Sequence, residues 1–161
     1  HEHNPFQCNL GYQVSLSGKG EWAKKGDYVG KQALEKMKAE LKDGHKPYKL
    51  QLVGFEIGGK PIDEYAPDFW LVSPGDGGDP CGFITSPWYH PEKGKNIAMG
   101  YIPYDGTLNS NGFPKWELGK KFKVHLPDIY ADEPGVPVDA VTVDVPFTES
   151  FNANTREVVK G

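Results

Sequence analysis

The sequence predicts a mainly β protein, α+β overall: a small antiparallel six-stranded barrel preceded by an N-terminal fragment with one amphipathic helix. Three observations predict it. Twenty Gly and fourteen Pro in 161 residues call for many turns and short strands. A single stretch, roughly Val29 to Leu41, has helical spacing of apolar residues. Six short apolar runs then follow in about 100 residues with no helix between them, the pattern of a closed or nearly closed barrel.

Taken in order, Leu10, Tyr12, Val14 and Leu16 alternate and predict a short extended segment. After a Gly- and Lys-rich loop, Val29, Ala33, Leu34, Met37 and Leu41 share one helical face, with Lys31, Glu35, Lys38 and Lys42 facing out. Asp27 is placed to cap the start and Gly44 the end. Beyond Pro47 the period becomes two. Leu50 to Ile57 reads as a strand ending at Gly58-Gly59, and Phe69 to Ser73 as another, stopped by the turn cluster from Pro74 to Pro80. The stretch Cys81 to Pro91 followed by Lys95 to Pro103 reads as two apolar strands joined by a Pro- and aromatic-bearing turn that holds Trp88 and Tyr89. Phe122, Val124 and Leu126 alternate with lysines and His125, and Val141, Val143 and Val145 alternate with Thr142 and Asp144. The segments Tyr104 to Trp116 and Asp128 to Val138 are polar insertions, and the chain after Phe147 has no periodicity.

Composition narrows the function classes. Hydrophobic content of 37% and aromatic content of 12% support a real core, with roughly two-thirds of the unfolded surface buried on folding. Net charge is −4 and Arg156 is the only arginine, which argues against nucleic-acid binding. Charge is uneven: nine lysines oppose five acids between Lys19 and Lys49, a solvated face or a surface for an anionic ligand such as a polyglutamate tail. Two cysteines, Cys8 and Cys81, make no disulfide framework, no run approaches the roughly 18 apolar residues of a membrane span, and no secretory segment opens the chain. A cytoplasmic protein with reduced thiols is expected. His1, His3, His45, His90 and His125 lack zinc spacing, and no nucleophile, phosphate loop or acid/base pair declares itself. No catalytic residue and no metal site are assigned.

Three motifs carry a resemblance. Asn4-Pro5-Phe6-x-x-x-Leu10-Gly11-Tyr12 comes first, then Lys25-Gly26-Asp27-Tyr28-Val29-Gly30-Lys31-Gln32-Ala33-Leu34, with Leu52-Val53-Gly54 after it. The third is Gly82-Phe83-Ile84-Thr85-Ser86 followed by Ile97-Ala98-Met99. In this order the chain resembles the C-terminal portion of the glycine-cleavage T-protein (aminomethyltransferase) family, folate-dependent one-carbon transferases, over roughly Asn4 to Phe147. The resemblance implies tetrahydrofolate as cofactor, a small-molecule methyl or aminomethyl donor, and a missing N-terminal folate-binding region of the same protein as partner. It implies that residues 1–47 end the folate-binding α+β domain, that 48–147 form the barrel, and that 148–161 are an irregular tail. Tyr12, where the family commonly has Trp, would line the folate cleft; Lys31, where it has Arg, would place a cation near it.

The lengthened loops around Asn109 and Asp132 and at Pro134 to Val138 look more like the dimethylsulfoniopropionate demethylase-like branch. Asp27, standing where the tRNA-modification branch has Cys, argues against that branch. The competing reading is a non-catalytic barrel module that binds a partner or ligand through Trp88, Tyr89 and Trp116. On the first reading this chain is not expected to be active alone.

Overall fold

The computed structural model describes residues 3–14, 16, 28–65 and 68–147. Six strands, β1 (Leu50–Ile57), β2 (Trp70–Pro74), β3 (Gly82–His90), β4 (Lys95–Pro103), β5 (Lys121–Val124) and β6 (Val138–Val143), form an antiparallel barrel. It closes in the order β1-β4-β3-β2-β5-β6, so no strand has an unpaired edge. Among the described residues, one helix, α1 (Lys31–Lys42), and one 3-10 turn (Gly11–Gln13) precede it. Among the described residues no helix is long and apolar enough to cross a membrane.

Contacts divide the chain into two compact units. One comprises His1–Leu52 with Pro103–Trp116; the other comprises Val53–Ile102 with Glu117–Gly161. Tyr104 to Trp116, an insertion between strands in sequence, therefore clusters with the N-terminal unit.

In the second unit, alternate residues fill the barrel: Val53, Phe55 and Ile57 on β1, Trp70 and Val72 on β2, Phe122 and Val124 on β5. Phe55 and Phe122 meet edge to face at 5.9 Å, a geometry that suits the ring quadrupoles. On β6 the fully buried positions are Val138, Ala140 and Thr142, whereas Val141 and Val143 are half-buried. The expected valine face is therefore the outer one. Thr142 can turn inward because its hydroxyl donates to the Glu117 carbonyl and accepts the Lys120 N–H. Outside, a Cβ on Gly54 would lie 2.6 Å from a Val145 methyl and 3.1 Å from the Phe147 ring, so these side chains cover β1 there.

Trp88 and Tyr89 are strand residues, not turn residues. Pro87 stays within β3 opposite Ala98, past a register shift between Ile84 and Ser86, and Pro91 to Gly94 make the turn.

In the first unit, Phe6, Leu41 and Tyr104 form a buried cluster flanked by Val14, Leu16, Leu34, Met37, Tyr48, Leu108 and Phe113. Each such side chain taken from water contributes about 1.5–3 kcal/mol. Val29, expected on this face, is exposed because α1 begins two residues later than its apolar pattern; Ala33, inside α1, is exposed as well. Gly30 with φ 89° occupies the N-cap; Asp27, the expected cap, lies outside the described residues. The C-terminus ends as expected at Gly44, whose φ of 80° suits glycine. His45 N–H donates to Glu40 O at 2.8 Å and Gly44 N–H to Leu41 O at 3.1 Å, a Schellman motif.

Candidate functional site

Tyr12 and Lys31 both fall in the first unit, on different elements. Tyr12 sits on the 3-10 turn where alternation predicted a strand. The cause is local. Cys8 N–H donates to Asn4 O at 3.1 Å and Leu10 N–H to Pro5 O at 2.7 Å, which coils the chain. Asn4 Oδ1 accepts the Gln7 N–H at 3.0 Å. Asn9 then adopts φ 61°, a left-handed conformation that Asn tolerates better than most residues.

Asn9 is also tied to β1. Its Nδ2 donates to Leu52 O at 2.8 Å, its Oδ1 accepts from Gln51 Nε2, and Leu52 N–H donates to Gln7 O at 3.0 Å. Two residues on, Gly11 is buried where an added Cβ would come 2.7 Å from Phe113 and 3.0 Å from Phe6. With its neighbour held so closely, Tyr12 points outward and is 71% exposed, its hydroxyl accepting from Gln13 Nε2 at 3.1 Å.

Lys31 opens α1 directly after Gly30 and is half-buried. An exposed aromatic face and a cation at a helix start are binding chemistry rather than acid/base chemistry. Among the described residues no three His, Cys, Asp or Glu gather as a metal site. Ser73 Oγ on β2 meets Nε2 of His125, the residue after β5, at 2.9 Å, but Ser73 is buried and so withheld from a substrate.

Behind the turn, Tyr48 and Tyr104 pack with ring centroids 4.9 Å apart. Burial raises the pKa of both: Tyr104 is pushed up to about 12, and Tyr48 rises further, with Tyr104 and Cys8 adding to the effect. Tyr48 Oη and Gln51 Oε1 are buried without a hydrogen-bond partner, and Gln51 is only 1% exposed. Asn9, Tyr48 and Gln51 carry no signal in the sequence, because nothing local pairs residues some forty positions apart.

The three aromatic residues of the competing module reading differ in exposure. Trp116 is 8% exposed and Tyr89 half-buried; only Trp88, at 50%, presents a ring to solvent.

A family profile described as the glycine cleavage T-protein C-terminal barrel domain matches residues 51–148. The chain belongs to this family. It is similar to aminomethyltransferases from Symbiobacterium thermophilum, 34% identical over 104 residues, and Synechocystis sp., 30% identical over 102 residues. Each match covers 63% of this chain and 23% of the relative, so the matched portion spans about a quarter of those proteins. In fold it resembles the glycine cleavage system aminomethyltransferase T of Bartonella henselae, with a TM-score of 0.58 at 19% identity, covering 91% of this chain and 32% of that one.

Proposed function

We propose that this chain is the C-terminal part of a cytoplasmic tetrahydrofolate-dependent one-carbon transferase. It supplies the capping barrel and one wall of a folate cleft, and the acid/base group belongs to a preceding region of the same protein. The observation that carries this reading is the barrel domain at residues 51–148, joined to an N-terminal segment that bears the family's other two motifs in order.

The residues present fit tetrahydrofolate. Tyr12 offers an uncovered aromatic face for a flat ring system, and Lys31 a cation for a carboxylate. Tetrahydrofolate supplies the amine nitrogen that takes up the one-carbon unit. What this chain adds is orientation and exclusion of water, which lower the barrier without a proton-transfer group of its own. The donor is a small molecule. The relatives are aminomethyltransferases, while the long loops at Asn109 and Asp132 look more like a demethylase-like branch, whose methyl donor is a sulfonium or methoxy compound.

Calorimetric titration with tetrahydrofolate tests this on the 161-residue chain and on a longer polypeptide from the same reading frame. Binding by the longer polypeptide alone is expected. Binding by neither would overturn the assignment, and binding by the short chain would overturn the division of labour.

A further inference from the structure

We propose that the Asn9–Gln51 amide pair is the positioning device for Tyr12, fixing the 3-10 turn so that the aromatic face is presented in one orientation. This rests on the reading of Tyr12 as a cleft residue and adds two residues that neither the motifs nor the relatives assign.

Three observations carry it. Asn9 is the only described non-glycine residue with positive φ, and it stands three residues before Tyr12, where the chain changes direction. Its amide is used at both ends, donating to Leu52 O and accepting from Gln51 Nε2, so the turn is referenced to the start of a barrel strand. Gln51 makes this bond from a fully buried position while its Oε1 has no partner, an arrangement that an apolar residue would avoid if only stability mattered. Gly11 supplies the second fixed point against Phe6 and Phe113. Between Asn9 and Gly11 the backbone has one residue of slack, Leu10, whose carbonyl accepts the Gln13 N–H at 3.0 Å. The exposed Tyr12 ring thus inherits its placement from two buried contacts.

The test is Asn9→Gly, which keeps the left-handed backbone accessible and deletes both side-chain bonds, with Gln51→Leu as the second variant. Hydrogen exchange in the 161-residue chain should rise roughly tenfold at the Gln13 and Val14 amides, the scale of losing one or two hydrogen bonds, and stay unchanged at Phe55 and Val124 in the barrel. In whichever polypeptide binds tetrahydrofolate, both variants should raise the dissociation constant by a similar factor. Unchanged exchange at Gln13 and Val14 in both variants would overturn the positioning claim. Tyr12→Ala separates the two ideas: intact folate affinity in that variant removes Tyr12 from the cleft and, with it, the functional meaning of the pair.

Discussion

Asn96 Oδ1 accepts the backbone N–H of Ile62 at 3.0 Å, and both residues are buried. The same side chain donates from Nδ2 to Gly58 O at 3.2 Å and Lys60 O at 2.9 Å. One amide on β4 thereby supplies partners for three backbone groups of the loop after β1, a segment with no ladder of its own. Ile62 is carried into the core by this loop and in turn accepts the Tyr89 N–H on β3.

Asn96→Leu keeps the branched shape and removes all three bonds. It should lower stability by about 3 kcal/mol, since buried backbone groups are left unpaired. Urea denaturation followed by tryptophan fluorescence measures this. A change under about 0.5 kcal/mol would mean that the loop is not held by Asn96.

Gly54→Ala should cost about 1–3 kcal/mol, because the new methyl group meets Val145 and the Val143 carbonyl, 3.0 Å away. Adding Val145→Ala should recover part of that loss. Additive losses in the double-mutant cycle would show that the two positions do not share the crowded space.

Glu56 takes a hydrogen bond from Lys95 Nζ at 2.8 Å and lies 3.6 Å from Lys93 Nζ. The Lys95 hydrogen bond chiefly, with the charges of Lys95 and Lys93, holds its pKa below the ordinary glutamate value, against a smaller opposing effect of burial. A lowered folded-state pKa means that the stabilisation is present above the unfolded value of about 4.3 and fades as pH falls through the folded value. Glu56→Gln should therefore lower the melting temperature slightly at pH 7, by the equivalent of about 1 kcal/mol or less, and should make no difference near pH 2. Equal effects at both pH values would contradict the ion-pair account.

Tyr48 and Tyr104 have the opposite sign. Their pKa values are raised above the unfolded value of about 10, so they leave stability independent of pH below pH 10, and stability falls as pH climbs from there toward the folded values. Ultraviolet titration should show two tyrosines that ionise only with alkaline unfolding. Tyr48→Phe removes a buried hydroxyl that has no partner and should be neutral or stabilising. Tyr104→Phe loses the bond to Thr107 O at 3.3 Å and should cost about 0.5–1 kcal/mol.

Strand β1 was legible end to end, since Leu50 to Ile57 is bounded by Pro47 and by Gly58-Gly59. The inner face of β6 was not. Three valines read as core, but Gly54 leaves a hollow on the outside that Val145 fills, and Thr142 is admitted to the inside by its two hydrogen bonds. Pro87 hid the continuation of β3, because proline usually signals a turn and here lies beside a register shift. Tyr12 and Lys31 could be named only through the order of motifs, as neither residue type announces a ligand. The Asn9–Gln51 pair was invisible because it is a contact across 42 residues.

The interleaving of the two units bears on how this protein could be dissected. Unit one is made of two separated stretches, and Tyr104 belongs to a core completed by Phe6 and Leu41. A clone beginning at Tyr48 would keep all six strands yet carry Pro103–Trp116 with its apolar side chains stripped of their cover, an invitation to aggregate. A soluble isolated barrel calls for a second edit, a short glycine-bearing turn from Pro103 to Glu117, so that the excision follows the three-dimensional boundary instead of the linear one.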